Sequence, residues 1–170
     1  MGNALSPVQR LSGQHEFEDF ACGRDELDDW LRMHAHGSER RDLARTFVVC
    51  RGGPRVVGYY SLTMGSVRRA DAPTKLVRGL PGYPIGMVLL ARLAVDQKEQ
   101  GTGLGASLLT DALIRALHAG ESAAARLVVV DALDDQAAGF HRRFGFIRAP
   151  EHPLRLFLRL KDIRASLRDV

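Results

Sequence analysis

The chain has 170 residues, 45% of them hydrophobic, and a formal net charge of +4. This length and composition suit one compact domain with a full hydrophobic core, so we expect a single domain over residues 1–170. The longest apolar stretches are shorter than the roughly 18 residues of a membrane-spanning helix, and the N-terminus lacks the apolar run of a signal peptide. These features predict a soluble, cytoplasmic protein with no membrane partner.

The basic residues are unevenly distributed and are mostly arginine. Residues 139–170 contain eight bases and three acids, and only three of the 24 basic residues in the chain are lysine. The planar guanidinium group suits phosphate contacts better than the point charge of lysine does. The excess of arginine therefore indicates either a phosphate-bearing partner or the codon bias of a GC-rich genome.

The cysteines and histidines do not form a metal-binding pattern. Cys22 and Cys50 lack metal-ligand spacing and are not a Cys-x-x-Cys pair. We therefore expect reduced, structural thiols and no metal site.

The N-terminal part of the chain predicts a helix followed by a hairpin. Over residues 24–36, apolar side chains recur at the spacing of one buried helical face. The acids within residues 16–29 are interpreted as a solvated helix face. The β-rich runs 46–50 and 56–63 are separated by the turn sequence Gly52-Gly53-Pro54, which favours an antiparallel hairpin.

The second part predicts alternating strands and helices. Residues 68–84 are too rich in proline and glycine for a long element and predict a surface loop or a short helix. Residues 85–95 are nearly continuous in apolar residues, with Arg92 as the one charge, which is typical of a buried central strand. The remaining predicted elements are a helix over 104–118, a strand over 127–130, a helix over 134–143 and a strand over 154–160. This order predicts a mixed α/β sheet.

Three alternating glycines, Gly101, Gly103 and Gly105, join the predicted central strand to the helix that follows it. Glycine permits positive φ and lets a ligand approach the backbone without a Cβ in the way. The helix places free N–H groups and the positive end of its dipole at the same point. The turn therefore predicts an anion site, such as one for a pyrophosphate.

The glycine turn fits two common nucleotide-binding motifs less well. It lacks the Gly-Lys-Ser/Thr ending of a nucleoside triphosphate loop. A dinucleotide fingerprint would allow Ala106 at its last position, but too few residues follow the turn for a doubly wound sheet. A plain strand-to-helix connection, in turn, seldom needs three alternating glycines.

The residues around the turn resemble a known family. Ala91-Arg92-Leu93-Ala94-Val95-Asp96, followed by Gln100-x-x-Gly103-x-Gly105, resembles the acetyl-CoA signature of the GNAT superfamily of N-acetyltransferases. Ala137-x-x-Phe140-His141-x-x-Phe144-Gly145-Phe146 is similar to its second signature. The resemblance implies a GNAT fold, in which helices flank a mixed central sheet whose middle strands are splayed.

Nearly the whole chain is more specifically similar to the GNAT toxins of toxin-antitoxin modules. Two of the matching segments are Phe20-x-Cys22-Gly23-x-x-x-Leu27-Asp28-x-Trp30-Leu31 and Val57-Gly58-Tyr59-Tyr60-Ser61-Leu62. This resemblance implies transfer of acetyl from acetyl-CoA to the α-amine of aminoacyl-tRNA, which blocks translation. It also implies a ribbon-helix-helix antitoxin and a homodimer.

The resemblance assigns cofactor contacts in two segments. It implies that backbone groups of the strand pair with pantetheine, that amides of the turn hold the pyrophosphate, and that the second signature adds an aromatic residue. The implied residues are Leu93, Ala94, Val95, Gln100, Gly101, Thr102, Gly103, Leu104, Gly105, Ala106 and Phe140.

His141 departs from the family pattern, because these toxins carry a tyrosine there as proton donor for the departing thiolate. A phenol with a pKa of about 10 stays protonated at neutral pH, whereas a histidine with a pKa of about 6.5 is only partly protonated. His141 is therefore a variant acid, an engineered substitution, or the mark of a chain with lost or altered activity.

Six arginines are candidates for contacts with the substrate tRNA. Arg92 lies in a buried strand and must meet a partner or open into a cleft, and we favour contact with the substrate. The others would bind phosphates without reading sequence; they are Arg40, Arg41, Arg45, Arg142 and Arg143. Two alternatives remain: a GNAT enzyme acting on a small amine or a protein N-terminus, and a non-catalytic module that binds acyl-CoA or an antitoxin.

Overall fold

The computed structural model describes residues 3–168, which divide into two compact units. Of these residues, the first unit holds 3–63 and 91–112, and the second holds 64–90 and 113–168. No helix among the described residues is long and apolar enough to cross a membrane.

Seven strands form one mixed sheet. In chain order they are β1 Gln9–Arg10, β2 Arg45–Cys50, β3 Val56–Val67, β4 Ile85–Val95, β5 Leu127–Asp131, β6 Ile147–Arg148 and β7 Arg155–Arg159. Their order across the sheet is β1-β2-β3-β4-β5-β7-β6. β4 and β5 are parallel, whereas β2 pairs with β3 and β5 pairs with β7 in antiparallel fashion. The predicted mixed α/β sheet is confirmed.

The helices alternate with these strands. They are α1 Asp25–Met33, α2 Ala35–Arg40, α3 Thr74–Val77, α4 Leu104–Ser122, α5 Asp135–Arg142 and α6 Leu160–Arg168. The helix predicted over residues 24–36 is interrupted at His34, so its last part belongs to α2. The strand predicted over 154–160 is wrong at its end, because Leu160 begins α6, whose Leu160 and Ile163 are buried at helical spacing.

The core of the first unit lies on both faces of the β2–β3 hairpin. On one face, Val48 and Tyr59 pack with Leu31 and Ala35 of α1 and α2. On the other face, Gly58 lies so close to α4 that an added Cβ would be 2.9 Å from Leu108 Cδ1. The hairpin prediction is confirmed, and the glycine lets the helix approach the strand.

Buried polar groups also hold the first unit together. Tyr60 donates its hydroxyl hydrogen to Asp111 Oδ2 and so ties β3 to α4. The interpretation of the acids at 16–29 as solvated is wrong for Asp28, which is buried and accepts a hydrogen bond from the Cys22 N–H at 2.9 Å. Cys22 and Cys50 are free, buried thiols, as predicted, and burial raises the pKa of Cys22 to about 12.

The second unit has its own core. Leu127 and Val129 of β5 pack with Phe157 of β7 and with Leu76 of α3. Arg126 Nε donates to the Leu76 carbonyl at 2.9 Å, which anchors the segment over 68–84. That segment contains α3 and a 3-10 turn at Arg69–Asp71, so the prediction of a loop or short helix is confirmed.

Candidate active site

The carboxyl end of β4 extends beyond the end of β5, the strand parallel to it. The pairs between the strands run from Met87–Leu127 to Leu90–Val130. β4 continues five residues past Leu90, to Val95, whereas β5 ends one residue past Val130, at Asp131. The residues of β4 beyond Ala91 therefore have no counterpart in β5, and these include the predicted pantetheine contacts Leu93, Ala94 and Val95.

The glycine turn has the open backbone that an anion site needs. Gly101 and Gly103 have φ values of 79° and 88°, and an added Cβ would meet no heavy atom within 4 Å at either one. α4 begins at Leu104, so Leu104, Gly105 and Ala106 belong to the first helical turn, where amides lack intrahelical acceptors. Open space and unsatisfied N–H groups thus coincide at the predicted pyrophosphate site.

The Gln100 side chain locks the turn to its surroundings. Its Nε2 donates to the Cys22 carbonyl at 2.8 Å and to the Val95 carbonyl at 2.9 Å. Thr102 Oγ1 donates to the Glu99 carbonyl at 2.6 Å. The side chains of Gln100 and Thr102 thus form structural hydrogen bonds, so the predicted pyrophosphate contacts of the turn fall to its backbone amides.

Asp96 organises the junction between β4 and the turn. It is 8% exposed, and its carboxylate accepts hydrogen bonds from the N–H groups of Ala21 at 3.2 Å and Lys98 at 3.0 Å. The Gln97 N–H in turn donates to the Ala21 carbonyl at 2.9 Å. The segment before α1 is thereby fastened to the entrance of the turn.

A second anchor is the buried carboxylate of Glu99. Arg51 pairs with it through two bonds, Nε to Oε1 at 2.6 Å and Nη2 to Oε2 at 3.0 Å. Neither of these residues, nor Asp96, is among those predicted from the sequence. Asp96 has a local signal, since an Asp at the end of a strand often accepts bonds from the following turn; Arg51 and Glu99 are 48 residues apart and have none.

Arg92 meets an aromatic partner. Its Cζ lies 3.9 Å from the centroid of the Trp30 ring, which in turn stacks on Tyr59 at 6.0 Å with an interplanar angle of 10°. Burial lowers the pKa of Arg92, but an arginine remains charged at neutral pH. A cation–π contact thus accommodates this half-buried charge.

His141 lies on α5, inside a cluster of phenylalanines. Its ring centroid is 5.1 Å from that of Phe140 and 5.4 Å from that of Phe146. The residue is 6% exposed, and Nδ1 is buried without a hydrogen-bond partner among the described residues. Burial lowers its pKa to about 4, so the ring is neutral at pH 7.

The remaining predicted arginines differ in how they are held. Arg40, Arg41, Arg142 and Arg143 are exposed. Arg45 instead directs Nη1 to Glu39 Oε2 at 3.2 Å and Nη2 to Asp42, so it is already engaged in ion pairs. Among residues 3–168, no group of three or more His, Cys, Asp or Glu side chains is placed to hold a metal ion.

Residues 9–146 match the family model described as the acetyltransferase (GNAT) family. The chain belongs to this family. The matched region contains the end of β4, the glycine turn and His141 of this GNAT protein.

Relatives and solved structures resemble the chain over nearly its full length. A Mycobacterium tuberculosis protein named tRNA-acetylating toxin is 44% identical over 167 residues, covering 98% of this chain and 99% of that protein. The structure of AtaT complexed with acetyl-methionyl-tRNAfMet has a TM-score of 0.89 and 28% identity, covering 96% of this chain and 99% of that one. A tyrosine-to-phenylalanine mutant of AtaT, bound to the C-terminus of the antitoxin AtaR and acetyl-CoA, has a TM-score of 0.84 and 28% identity, covering 97% and 99%.

We predict that His141 makes this GNAT protein sensitive to acid. Its pKa is about 4 when folded, below the ordinary value of 6.5, so the unfolded chain binds more protons between these pH values. The contribution of the neutral ring to the free energy of unfolding is fully present above pH 6.5 and is lost as the pH drops to 4. The total loss is about 3 kcal/mol.

The measurement is the free energy of unfolding by urea at several pH values. His141→Phe, which keeps an aromatic ring without a titrating group, should lose less stability across this interval than the natural chain. His118→Gln, at an exposed position on α4, is the matched control and should behave like the natural chain. Equal pH dependence in the natural chain and His141→Phe would refute the prediction.

Proposed function

We propose that this GNAT protein is an acetyl-CoA-dependent toxin that acetylates the α-amine of aminoacyl-tRNA and thereby blocks translation. The observation that carries the proposal is the 44% identity to a tRNA-acetylating toxin over 98% of the chain. The alignment also covers 99% of the length of that toxin. An in vitro assay with labelled acetyl-CoA and a full set of aminoacyl-tRNAs tests the proposal.

We propose that acetyl-CoA binds to the first unit at two places. The backbone of Leu93 to Val95 would pair with pantetheine, and the amides of residues 100–106 would hold the pyrophosphate. The open space beside Gly101 and Gly103 supports this fit, because a Cβ at either position would project into it. When bound, acetyl-CoA supplies the acetyl group as a reactive thioester. Phe140, on α5 of the second unit, is a further proposed cofactor contact.

Acetyl transfer requires two proton movements, and the side chains at the site must allow both. Acetyl transfer forms a C–N bond and breaks a C–S bond, so a neutral amine must lose a proton and the thiolate must gain one. Because burial lowers the pKa of His141 to about 4, the ring is almost entirely neutral at pH 7. We propose that His141 is the catalytic residue and that its neutral ring donates one N–H hydrogen bond to the developing negative charge. The proton that the amine loses is the one that the departing thiolate gains.

The proposed tRNA-binding surface consists mainly of exposed arginines. Arg40, Arg41, Arg142 and Arg143 are exposed and would bind tRNA phosphates without reading sequence. Arg92, held on Trp30, would present its N–H donors beyond the edge of the ring. Arg45 would contribute less than these, since Glu39 and Asp42 already bind it.

The similarity to toxins also supports a proposal about the binding partners of this chain. A solved relative, AtaT, is bound to the antitoxin AtaR, and we propose that this chain also has an antitoxin, of the ribbon-helix-helix type. We further propose a cytoplasmic homodimer in which residues 1–170 act as one acetyltransferase domain. The single-domain assignment is supported by β3, β4 and α4, because each of them runs through both compact units.

A non-catalytic module that binds acetyl-CoA or an antitoxin is the second candidate. The observation that favours it is the low pKa of His141, which removes most of the acid form that a proton donor needs. Such a protein would bind acetyl-CoA and leave it unconsumed in the presence of charged tRNA.

We expect Gln100→Glu to weaken acetyl-CoA binding by about tenfold, which corresponds to ~1.4 kcal/mol for two lost hydrogen bonds. The new carboxylate has the same shape but cannot donate to the Cys22 and Val95 carbonyls. Isothermal titration calorimetry measures the change. Gln97→Glu makes the same chemical change three residues earlier, at an exposed side chain, and should bind acetyl-CoA like the natural protein. Equal affinities in both variants would show that the Gln100 hydrogen bonds are not needed for acetyl-CoA binding at the turn.

We expect His141→Ala to lower the rate of acetyl transfer at least about tenfold while the Kd for acetyl-CoA stays unchanged, because one donor to the developing charge is lost. His141→Tyr should be at least as active as the natural chain, since a phenol stays protonated at neutral pH. Single-turnover rates with aminoacyl-tRNA provide the comparison. Unchanged turnover in His141→Ala would remove the residue from catalysis, and activity confined to the tyrosine form would identify the natural chain as the non-catalytic module.

We expect the affinity for aminoacyl-tRNA to fall steeply with salt. Replacing Arg142 and Arg143 by glutamine should reduce the slope of log K against log salt concentration by about 0.9 for each phosphate that is no longer neutralised. Arg55→Gln, at an exposed arginine outside the proposed surface, is the control and should keep the full slope. A salt-independent activity would instead favour a small amine or a protein N-terminus as the acceptor.

A further inference from the structure

A cleft in the second unit lies at the carboxyl end of β5. Its volume is about 560 Å³, within the range of small-molecule sites. Its lining comes from the end of β5 and the residue after it, from the loop before β7 and the start of β7, and from the segment that includes the 3-10 turn Arg69–Asp71. The lining residues are Arg68, Asp71, Asp131, Ala132, His152, Pro153, Leu154 and Arg155.

A cross-strand ion pair forms part of the cleft lining. Asp131 and Arg155 are register partners of β5 and β7. Arg155 directs Nε to Oδ1 at 2.7 Å and Nη2 to Oδ2 at 2.9 Å. This pair uses one edge of the guanidinium and leaves the two N–H groups of Nη1 outside it.

A second ion pair among the lining residues has a similar geometry. Arg68 directs Nε to Asp71 Oδ2 at 2.9 Å and Nη2 to Oδ1 at 3.4 Å, again through one edge. The hydrogen bonds to Asp131 are the main cause that raises the pKa of Arg155, and the negative charge of Asp71 adds a smaller contribution. These hydrogen bonds orient the two guanidinium groups before any ligand binds, and each group has carboxylate oxygens beside it.

We propose that this cleft binds the terminal nucleotide of the substrate tRNA. Each guanidinium would present its Nη1 hydrogens to phosphate oxygens, and a carboxylate would accept a hydrogen bond from the one ribose hydroxyl that is not esterified. Pro153, Leu154 and Ala132 supply apolar surface for a base. This nucleotide combines an anion, a hydroxyl donor and a flat apolar face, and the cleft has a complement for each. The inference rests on the proposed function and names the residues that would hold the end of that substrate.

The experiment measures the Kd of aminoacyl-tRNA by filter binding, using the charged tRNA that the natural chain acetylates fastest, or methionyl-tRNA if it acetylates none. Arg68→Gln is the main variant, because this side chain is 79% exposed and its loss does not disturb the core. We expect the Kd to rise about fivefold or more and the salt slope to fall by about 0.7, as for one phosphate of a single strand. Arg155→Gln should weaken binding at least as much.

The chain offers a matched control on the same strand. Arg159 also pairs edge-on, with Asp162, through Nε at 3.2 Å and Nη2 at 2.9 Å, and its side chain is 28% exposed against 30% for Arg155. It lies outside the cleft lining. Arg159→Gln should therefore leave the Kd within about twofold of the natural value, so a weakening seen only in Arg155→Gln is not a general effect of breaking a pair on β7.

Binding and catalysis are measured separately so that the two proposals can fail separately. Acetylation that persists with the same Kd in the natural chain, Arg68→Gln and Arg155→Gln overturns the cleft proposal and leaves the proposed function intact. Binding that depends on Arg68 and Arg155 without any acetylation supports the cleft and overturns the function. Competition by 5′-AMP that is lost in Arg68→Gln, with an unchanged Kd for tRNA, would assign the cleft to a free nucleotide and also overturn the proposal.

Discussion

The end of β4 and the glycine turn keep their shape because two side chains bind backbone groups that neither the strand nor the helix satisfies. Asp96 accepts from the N–H groups of Ala21 and Lys98, and Gln100 donates to the carbonyls of Cys22 and Val95. Glycines with positive φ lose much conformational freedom when they are ordered. A turn containing Gly101 and Gly103 therefore needs such bonds if its amides are to stay aligned, and the proposed acetyl-CoA site depends on that alignment.

The packing around His141 determines the charge of its ring. Its position among phenylalanines favours an uncharged ring, because an imidazolium would lose its hydration there without gaining a counter-charge. The same packing leaves Nδ1 buried without a partner among the described residues. The cofactor contacts proposed in the first unit do not include this ring, so variants of His141 can test turnover separately from acetyl-CoA binding at the glycine turn.

The arginines illustrate why composition alone is an incomplete guide to a binding surface. Counting bases treats them alike, but Arg45 and Arg155 are bound by carboxylates, Arg92 stacks on Trp30, and Arg142 is exposed. A paired arginine retains donors on its unused edge and is held in one orientation. An exposed arginine contributes charge without fixed geometry. The first kind suits a defined ligand and the second suits a phosphate backbone.

Local pattern was sufficient for much of this protein. β4 follows its apolar run residue for residue, α4 begins at the end of the glycine turn, and the β2–β3 hairpin follows its turn sequence, because these features depend on neighbours in the chain. Partners distant in sequence were decided only by the tertiary structure: Arg51 with Glu99, Trp30 beneath Arg92, and Arg155 beside Asp131. The sequence by itself therefore determined most of the elements and the glycine turn, but not the break at His34 or the change from strand to helix at Leu160. The burial that makes His141 neutral and the pairing that orients the arginines depend on surroundings that only folding assembles.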